Sequence, residues 1–97
     1  MENVIKIGRT EYRVPYSDLL RPLTADEYAA LRASIAAHGI TSPIVVTEDG
    51  VVLDGLHRLR IAQELGLAPS AIPTVVVAGL SETERLARAV ALNAARR

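Results

Sequence analysis

The sequence contains no cysteine, no phenylalanine and no tryptophan. Without cysteine there are no disulfides, no thiolate metal ligands and no thiol nucleophile. Aromatic residues make up 3% of the 97-residue chain, all of them tyrosines. The core must therefore be built from Val, Ile, Leu and Ala, and a base-stacking platform for single-stranded nucleic acid is disfavoured. An excess of one charge is missing too. The 11 basic residues are matched by 11 acidic ones, so contact with DNA needs a local patch or a neighbouring domain. No apolar run is long enough to span a bilayer, and the N-terminus has no signal-peptide pattern. The expected location is cytoplasmic, with no membrane partner. The two histidines, His38 and His57, stand apart and form no recognisable metal motif.

What is present suffices for one small domain, residues 1–97, since hydrophobic residues are 49% of the chain. Val4–Ile7 and Glu11–Val14 alternate apolar and polar side chains across Gly8-Arg9-Thr10 and predict a hairpin. Pro15 and Pro22 bracket a loop or single turn. Thr24 and Glu27 have capping-box spacing ahead of an alanine-rich helix carrying Tyr28, Leu31 and Ile35 on one face, with Gly39 ending it. Pro43–Thr47 and Val51–Leu53 are β-branched runs joined by Glu48-Asp49-Gly50. A second helix is expected from about His57 to Leu65, burying Ile61, Ala62 and Leu65. Thr74–Ala78 is almost wholly apolar and predicts a central strand covered on both faces. Ser81 and Glu84 repeat the capping box before a last helix with Leu86, Ala87, Val90, Ala91 and Ala94 on one stripe. Arg85, Arg88, Arg96 and Arg97 lie off that stripe, a solvated face or a set of DNA-phosphate contacts. The helical pattern runs to the last residue without a stop signal. Either this is a frayed terminus or the domain belongs to a longer protein.

The stretch richest in chemistry is Asp54-Gly55-Leu56-His57-Arg58. A strand enters a glycine turn and then a helix whose first turn holds a histidine and an arginine. Helix N-termini expose unpaired N–H groups and partial positive charge, so this is either an anion site or a turn with solvated cations. Asp54 is read as the helix N-cap. His57 as a general base competes with His57 as a phosphate donor, which needs no tuned pKa. His38, near a helix C-terminus, complements the helix dipole.

The order of the pieces resembles the ParB N-terminal domain, the ParB/sulfiredoxin-like fold. Gly39-Ile40-Thr41-Ser42-Pro43-Ile44-Val45-Val46, Asp54-Gly55-Leu56-His57-Arg58 and Gly79-Leu80-Ser81-Glu82 occur in that family's order and spacing, and the resemblance covers about residues 12 to 97. It implies an α+β fold with a small mixed sheet and about three main helices. It also implies a nucleotide site. In ParB partition proteins the glycine–arginine box cradles the triphosphate of CTP; in sulfiredoxins and free-serine kinases the same turn binds phosphate. Carried over, Gly55, Leu56, His57 and Arg58 form the phosphate turn. Thr41 and Ser42 contact base or sugar, or only shape their own turn. The resemblance therefore implies a nucleoside triphosphate, CTP or ATP, with Mg2+.

Departures from the family pattern restrict the chemistry. Leu56 occupies the position of sulfiredoxin's reactive cysteine, which excludes that activity. Partition-type proteins carry Glu-Asn-x-Gln-Arg near the domain's end, and this chain reads Leu92-Asn93-Ala94-Ala95-Arg96. Asn93 and Arg96 remain as implied nucleotide contacts, Asn93 also reaching the nucleotide's metal. The carboxylate is absent, so binding does not entail more than a weak triphosphatase. The resulting expectation is a CTP-type regulatory domain of a bacterial DNA-binding protein, for plasmid or chromosome partition or for transcription. It would contact DNA through a further C-terminal region and could form a homodimer. The alternative is a small-molecule phosphotransferase like the serine kinases of this fold, with Asp26 or Glu27 as the catalytic acid; both also fit first-turn capping. A nuclease is disfavoured because no carboxylate cluster suits two-metal cleavage.

Overall fold

The computed structural model describes residues 3–19 and 21–94. The architecture is α+β, with two small sheets and three main helices in the order ββαββαβα. Strands β1 (Val4–Ile7) and β2 (Thr10–Arg13) form an antiparallel hairpin, paired from Val4 opposite Arg13 to Ile7 opposite Thr10. The loop closes on Gly8-Arg9 rather than on three residues, which starts β2 one position earlier than its alternation suggested. A single 3-10 turn, Ser17–Leu19, fills the segment after Pro15.

Helix α1 (Ala25–His38) opens on the expected box. The Thr24 hydroxyl accepts from the Glu27 N–H at 3.1 Å, and the Glu27 carboxylate accepts from the Thr24 N–H at 2.9 Å. It ends at Gly39, whose φ of 75° lies where side chains are disfavoured and whose N–H returns to Ile35 O at 2.8 Å. Ile35 is its buried anchor. The Tyr28 hydroxyl donates to Glu64 and ties α1 to the second helix.

The second sheet has the order β4-β3-β5, with β3 (Ile44–Thr47) antiparallel to β4 (Val52–Asp54) and parallel to β5 (Thr74–Val77). Its faces divide the core by strand alternation. Ile44, Val46 and Val52 pack with Leu59, Ile61 and Ala62 of α2 (Leu56–Leu65), beside the hairpin's Ile5, Ile7 and Tyr12. Val51 and Leu53 pack with Ala89 and Leu92 of α3 (Glu82–Ala94), with Val45, Leu80 and Tyr16 alongside. Leu65, expected inside, is half-buried.

Two expectations are corrected here. β5 is an edge strand, and Val75 and Val76 are 46% and 59% exposed. An apolar run indicates strand propensity but not the number of neighbours. Here β4 occupies the other side of β3, and α3 packs over β4. The apolar stripe of α3 likewise faces outward: Leu86 and Val90 are each 46% exposed, Ala87 and Ala91 are exposed, and among the side chains described on this helix, which exclude that of Ala94, Ala89 alone is fully buried. The rotation of α3 is set by Arg85, which is no solvated or DNA-facing arginine. Its guanidinium pairs with Asp49 at 2.9 Å and Glu48 at 3.4 Å in the β3–β4 turn. That contact brings the small Ala89 against the sheet. The second capping box forms as expected, with Ser81 N–H on Glu84 at 2.8 Å and Glu84 N–H on Ser81 at 3.2 Å.

Candidate functional site

Strand β4 ends at Asp54, Gly55 turns the chain, and α2 starts at Leu56. Gly55 has φ 102°, and a Cβ there would lie 2.6 Å from Ile44 Cδ1 and 3.3 Å from Ile44 Cα. Glycine is therefore required twice, for the left-handed turn and for the close approach of the helix start to β3. The first intrahelical bond is Leu59 N–H to Gly55 O at 2.9 Å. The N–H groups of Leu56 and His57 precede it, and the N-cap residue, a glycine, has no side chain to cap them.

Asp54 is thus not the N-cap that the sequence suggested. Gly55 holds that position, and Asp54, one residue too early, is buried and pairs with Arg58 at 3.4 Å. Arg58 is buried as well. Its Nη1 donates to Ser42 O at 2.6 Å and to Pro43 O at 3.2 Å. A buried guanidinium requires such partners, and these hold the strand entering β3 against α2. Arg58 therefore works first as an internal clamp, with only its edge on the cavity.

That cavity, of about 580 Å³, opens in front of the α2 N-terminus. Gly55, Leu56, His57 and Arg58 form one side, and Gly39, Ile40, Thr41 and Ser42 form the next. Ala30, Leu31, Ser34 and Ile35 of α1 supply an apolar wall. Arg21, Leu23 and Glu27 lie across the mouth, and Asn93 reaches in from α3. The structure thus brings together every predicted site residue except two. Asp26 does not line the cavity, and Arg96 lies outside the described residues. Asn93 is already engaged, its amide nitrogen donating to Ala89 O at 2.7 Å and Leu53 O at 3.4 Å.

Arg21 was missing from the predicted set. Its signal was present as an Arg-Pro pair just before the α1 capping box, but nothing local says that this loop crosses to α2. The crossing is made by His57, whose Nε2–H donates to the Arg21 carbonyl at 2.9 Å. The Arg21 side chain turns to Glu27, at 3.4 and 3.5 Å. Glu27 is held below the usual carboxylate range, first by the Thr24 N–H and then by Arg21.

The charges balance. Arg21 and Arg58 face Glu27 and Asp54, so anion affinity rests on the helix N–H groups together with whichever cation can turn toward a ligand. Both carboxylates are engaged by protein donors. Among the described residues no group of three His, Asp or Glu side chains is placed to hold a metal ion. No helix among the described residues is long and apolar enough to cross a membrane.

Two known proteins are similar to this chain in sequence. Over 67 residues the chain is 36% identical to the uncharacterized protein ORF326b of Acidianus two-tailed virus, covering 69% of this chain and 20% of that protein. The chain therefore spans about a fifth of the viral relative. Over 71 residues it is 28% identical to the ParB-like nuclease domain-containing protein YnaK of Escherichia coli (strain K12), covering 73% of this chain and 79% of that one. The family model of the ParB N-terminal domain matches residues 2–94, almost the whole chain, and the protein belongs to that family.

Proposed function

We propose that the cavity binds the phosphates of a nucleoside triphosphate, accompanied by Mg2+, and that the domain is a ligand-responsive regulatory module of a DNA-binding protein. The observation that carries this reading is the α2 N-terminus at Gly55, a glycine with no capping side chain of its own, bordering a cavity of about 580 Å³ that Arg21 and His57 also line. The phosphates would lie on the Leu56 and His57 N–H groups, within reach of the Arg21 guanidinium. The apolar α1 wall and the Gly39–Ser42 loop would receive the sugar and base. No aromatic side chain lines the cavity, so base selection would rest on that loop's backbone and hydroxyl groups rather than on stacking. CTP is the favoured ligand because of the family. The length of the viral relative is in keeping with a domain acting inside a longer chain; that such a chain reads DNA elsewhere, in partition or in transcription, rests on the family.

The phosphotransferase alternative keeps one support, because Glu27 lines the cavity. Its carboxylate is held by the Thr24 N–H in the capping box, however, which leaves it poorly placed as a base. The nuclease in one relative's name finds no matching metal cluster among the described residues here.

The test is calorimetric titration of the chain with CTP, ATP, ADP and GTP, each with magnesium. Saturable binding of CTP in preference to the others is the expected result. Binding of ATP or ADP alone transfers the reading to phosphotransfer, and absence of binding to all four overturns it.

A further inference from the structure

Among the described residues lining the cavity, Arg21 is an exposed cation held by a carboxylate that borders the same cavity. Arg21 meets Glu27 at 3.4 and 3.5 Å, the long end of the hydrogen-bond range. The two side chains are 51% and 43% exposed. A pair so long and so wet contributes little and exchanges easily. The Arg21 backbone, by contrast, is anchored. His57, in the first turn of α2, holds its carbonyl at 2.9 Å. The guanidinium can therefore swing about a fixed base, from α1 toward the α2 N-terminus, without the loop having to move. Glu27 has a second, independent partner in the Thr24 N–H at 2.9 Å, so it keeps its place in the capping box when Arg21 leaves.

We infer that Glu27 is a built-in competitor for the anion: in the empty cavity it holds Arg21 aside, and a bound polyphosphate takes Arg21 from it. The inference rests on the phosphate reading above and adds to it a regulation of that site. A phosphate group carries more charge than a carboxylate and offers oxygens to both ends of the guanidinium fork, so the exchange favours the ligand. The carboxylate's effect is to raise the ligand concentration at which Arg21 turns to the phosphates. Weak or singly charged anions then fail to displace it.

The test is a double-mutant cycle in the intact chain, with inorganic triphosphate and magnesium as the probe and calorimetry as the readout. Glu27→Gln removes the charge but keeps an oxygen for the Thr24 N–H, since glutamine serves the same position in a capping box. It is expected to bind triphosphate about two- to fivefold more tightly, the scale of an exposed ion pair. Arg21→Ala is expected to weaken binding, and the double variant to match Arg21→Ala alone. A gain that persists without Arg21 would mean simple repulsion by Glu27 and would overturn the inference, as would no gain in Glu27→Gln. In both cases the wild-type chain still binds, so the phosphate reading stands. If neither the wild-type chain nor any variant binds triphosphate, the phosphate reading falls and the competitor with it. Thermal melting of Glu27→Gln near the wild-type temperature shows that the box is intact.

Discussion

Arg58 reaches back sixteen positions to donate to the carbonyl of Ser42 at 2.6 Å, from a guanidinium that is nearly buried. This contact joins the chain entering β3 to the first turn of α2, the two segments that meet at the cavity. Asp54, buried beside it at 3.4 Å, balances the charge.

Arg58→Ala should therefore unfold the domain more readily rather than merely weaken a ligand. It takes away the Arg58 donor from a buried carboxylate and two carbonyls, a loss of about 3 kcal/mol. Urea denaturation measures it. The paired change Asp54→Leu with Arg58→Met removes both charges and should cost clearly less than Arg58→Ala alone. An Arg58→Ala midpoint equal to wild type would show that the clamp carries no stability.

Gly55→Ala brings together two penalties that a second substitution separates. The new Cβ meets Ile44 Cδ1 at 2.6 Å, and φ at 102° is strained for any side chain. Together these should cost about 2–3 kcal/mol. Ile44→Val deletes the Cδ1 atom, so in the Gly55→Ala background it should recover part of the loss while the backbone strain remains. Full recovery would remove backbone strain from the account, and no recovery would remove the clash.

Acidification should weaken the fold, and the sign follows from the carboxylates. Glu27, Glu48, Asp49 and Glu84 are all held below their ordinary values. For Asp49 the main cause is Arg85, followed by the Thr47 hydroxyl; for Glu48 it is the Gly79 N–H, and for Glu84 the Ser81 N–H. A group whose folded pKa is depressed stabilises above its unfolded value, and that stability is lost as pH falls through the folded one. Urea midpoints should therefore fall as pH drops from about 5 toward 2. Asp49→Asn should lower the midpoint at neutral pH and flatten that fall. An unchanged slope in Asp49→Asn would dismiss the Arg85–Asp49 pair as its source.

Much of this was legible beforehand, and the reason differs between elements. Both capping boxes, Thr24 with Glu27 and Ser81 with Glu84, depend only on residues three apart, and both form. The glycine turn before α2 was legible on the same ground. The phosphate turn and the Thr41–Ser42 loop do line one cavity. What could not be read was long-range. Asp54 looked like a cap because its partner, Arg58, is four positions on and the choice between them depends on burial. Arg21 gave no local sign that its carbonyl would meet His57, thirty-six positions away. Hydrophobicity identified β5 and α3 as elements but not which side of each would be covered.

The orientation of α3 supplies the sharpest contrast between stripe and contact. If Leu86 and Val90 were core residues, truncating them would cost as buried side chains do. They are half exposed, while Ala89 is buried against Val51 and Leu53. Val90→Ala should therefore change stability by less than about 0.5 kcal/mol. Ala89→Leu, which improves the helix's hydrophobicity on paper, should destabilise it by about 1–3 kcal/mol, because three extra carbon atoms have no space between helix and β4. The two variants compared by urea denaturation give opposite rankings under the two orientations. A larger loss from Val90→Ala than from Ala89→Leu would mean that α3 presents Leu86 and Val90 inward. The Arg85 clamp to Asp49 and Glu48 could not then be maintained, because Arg85 and Ala89 are one turn apart on the same face.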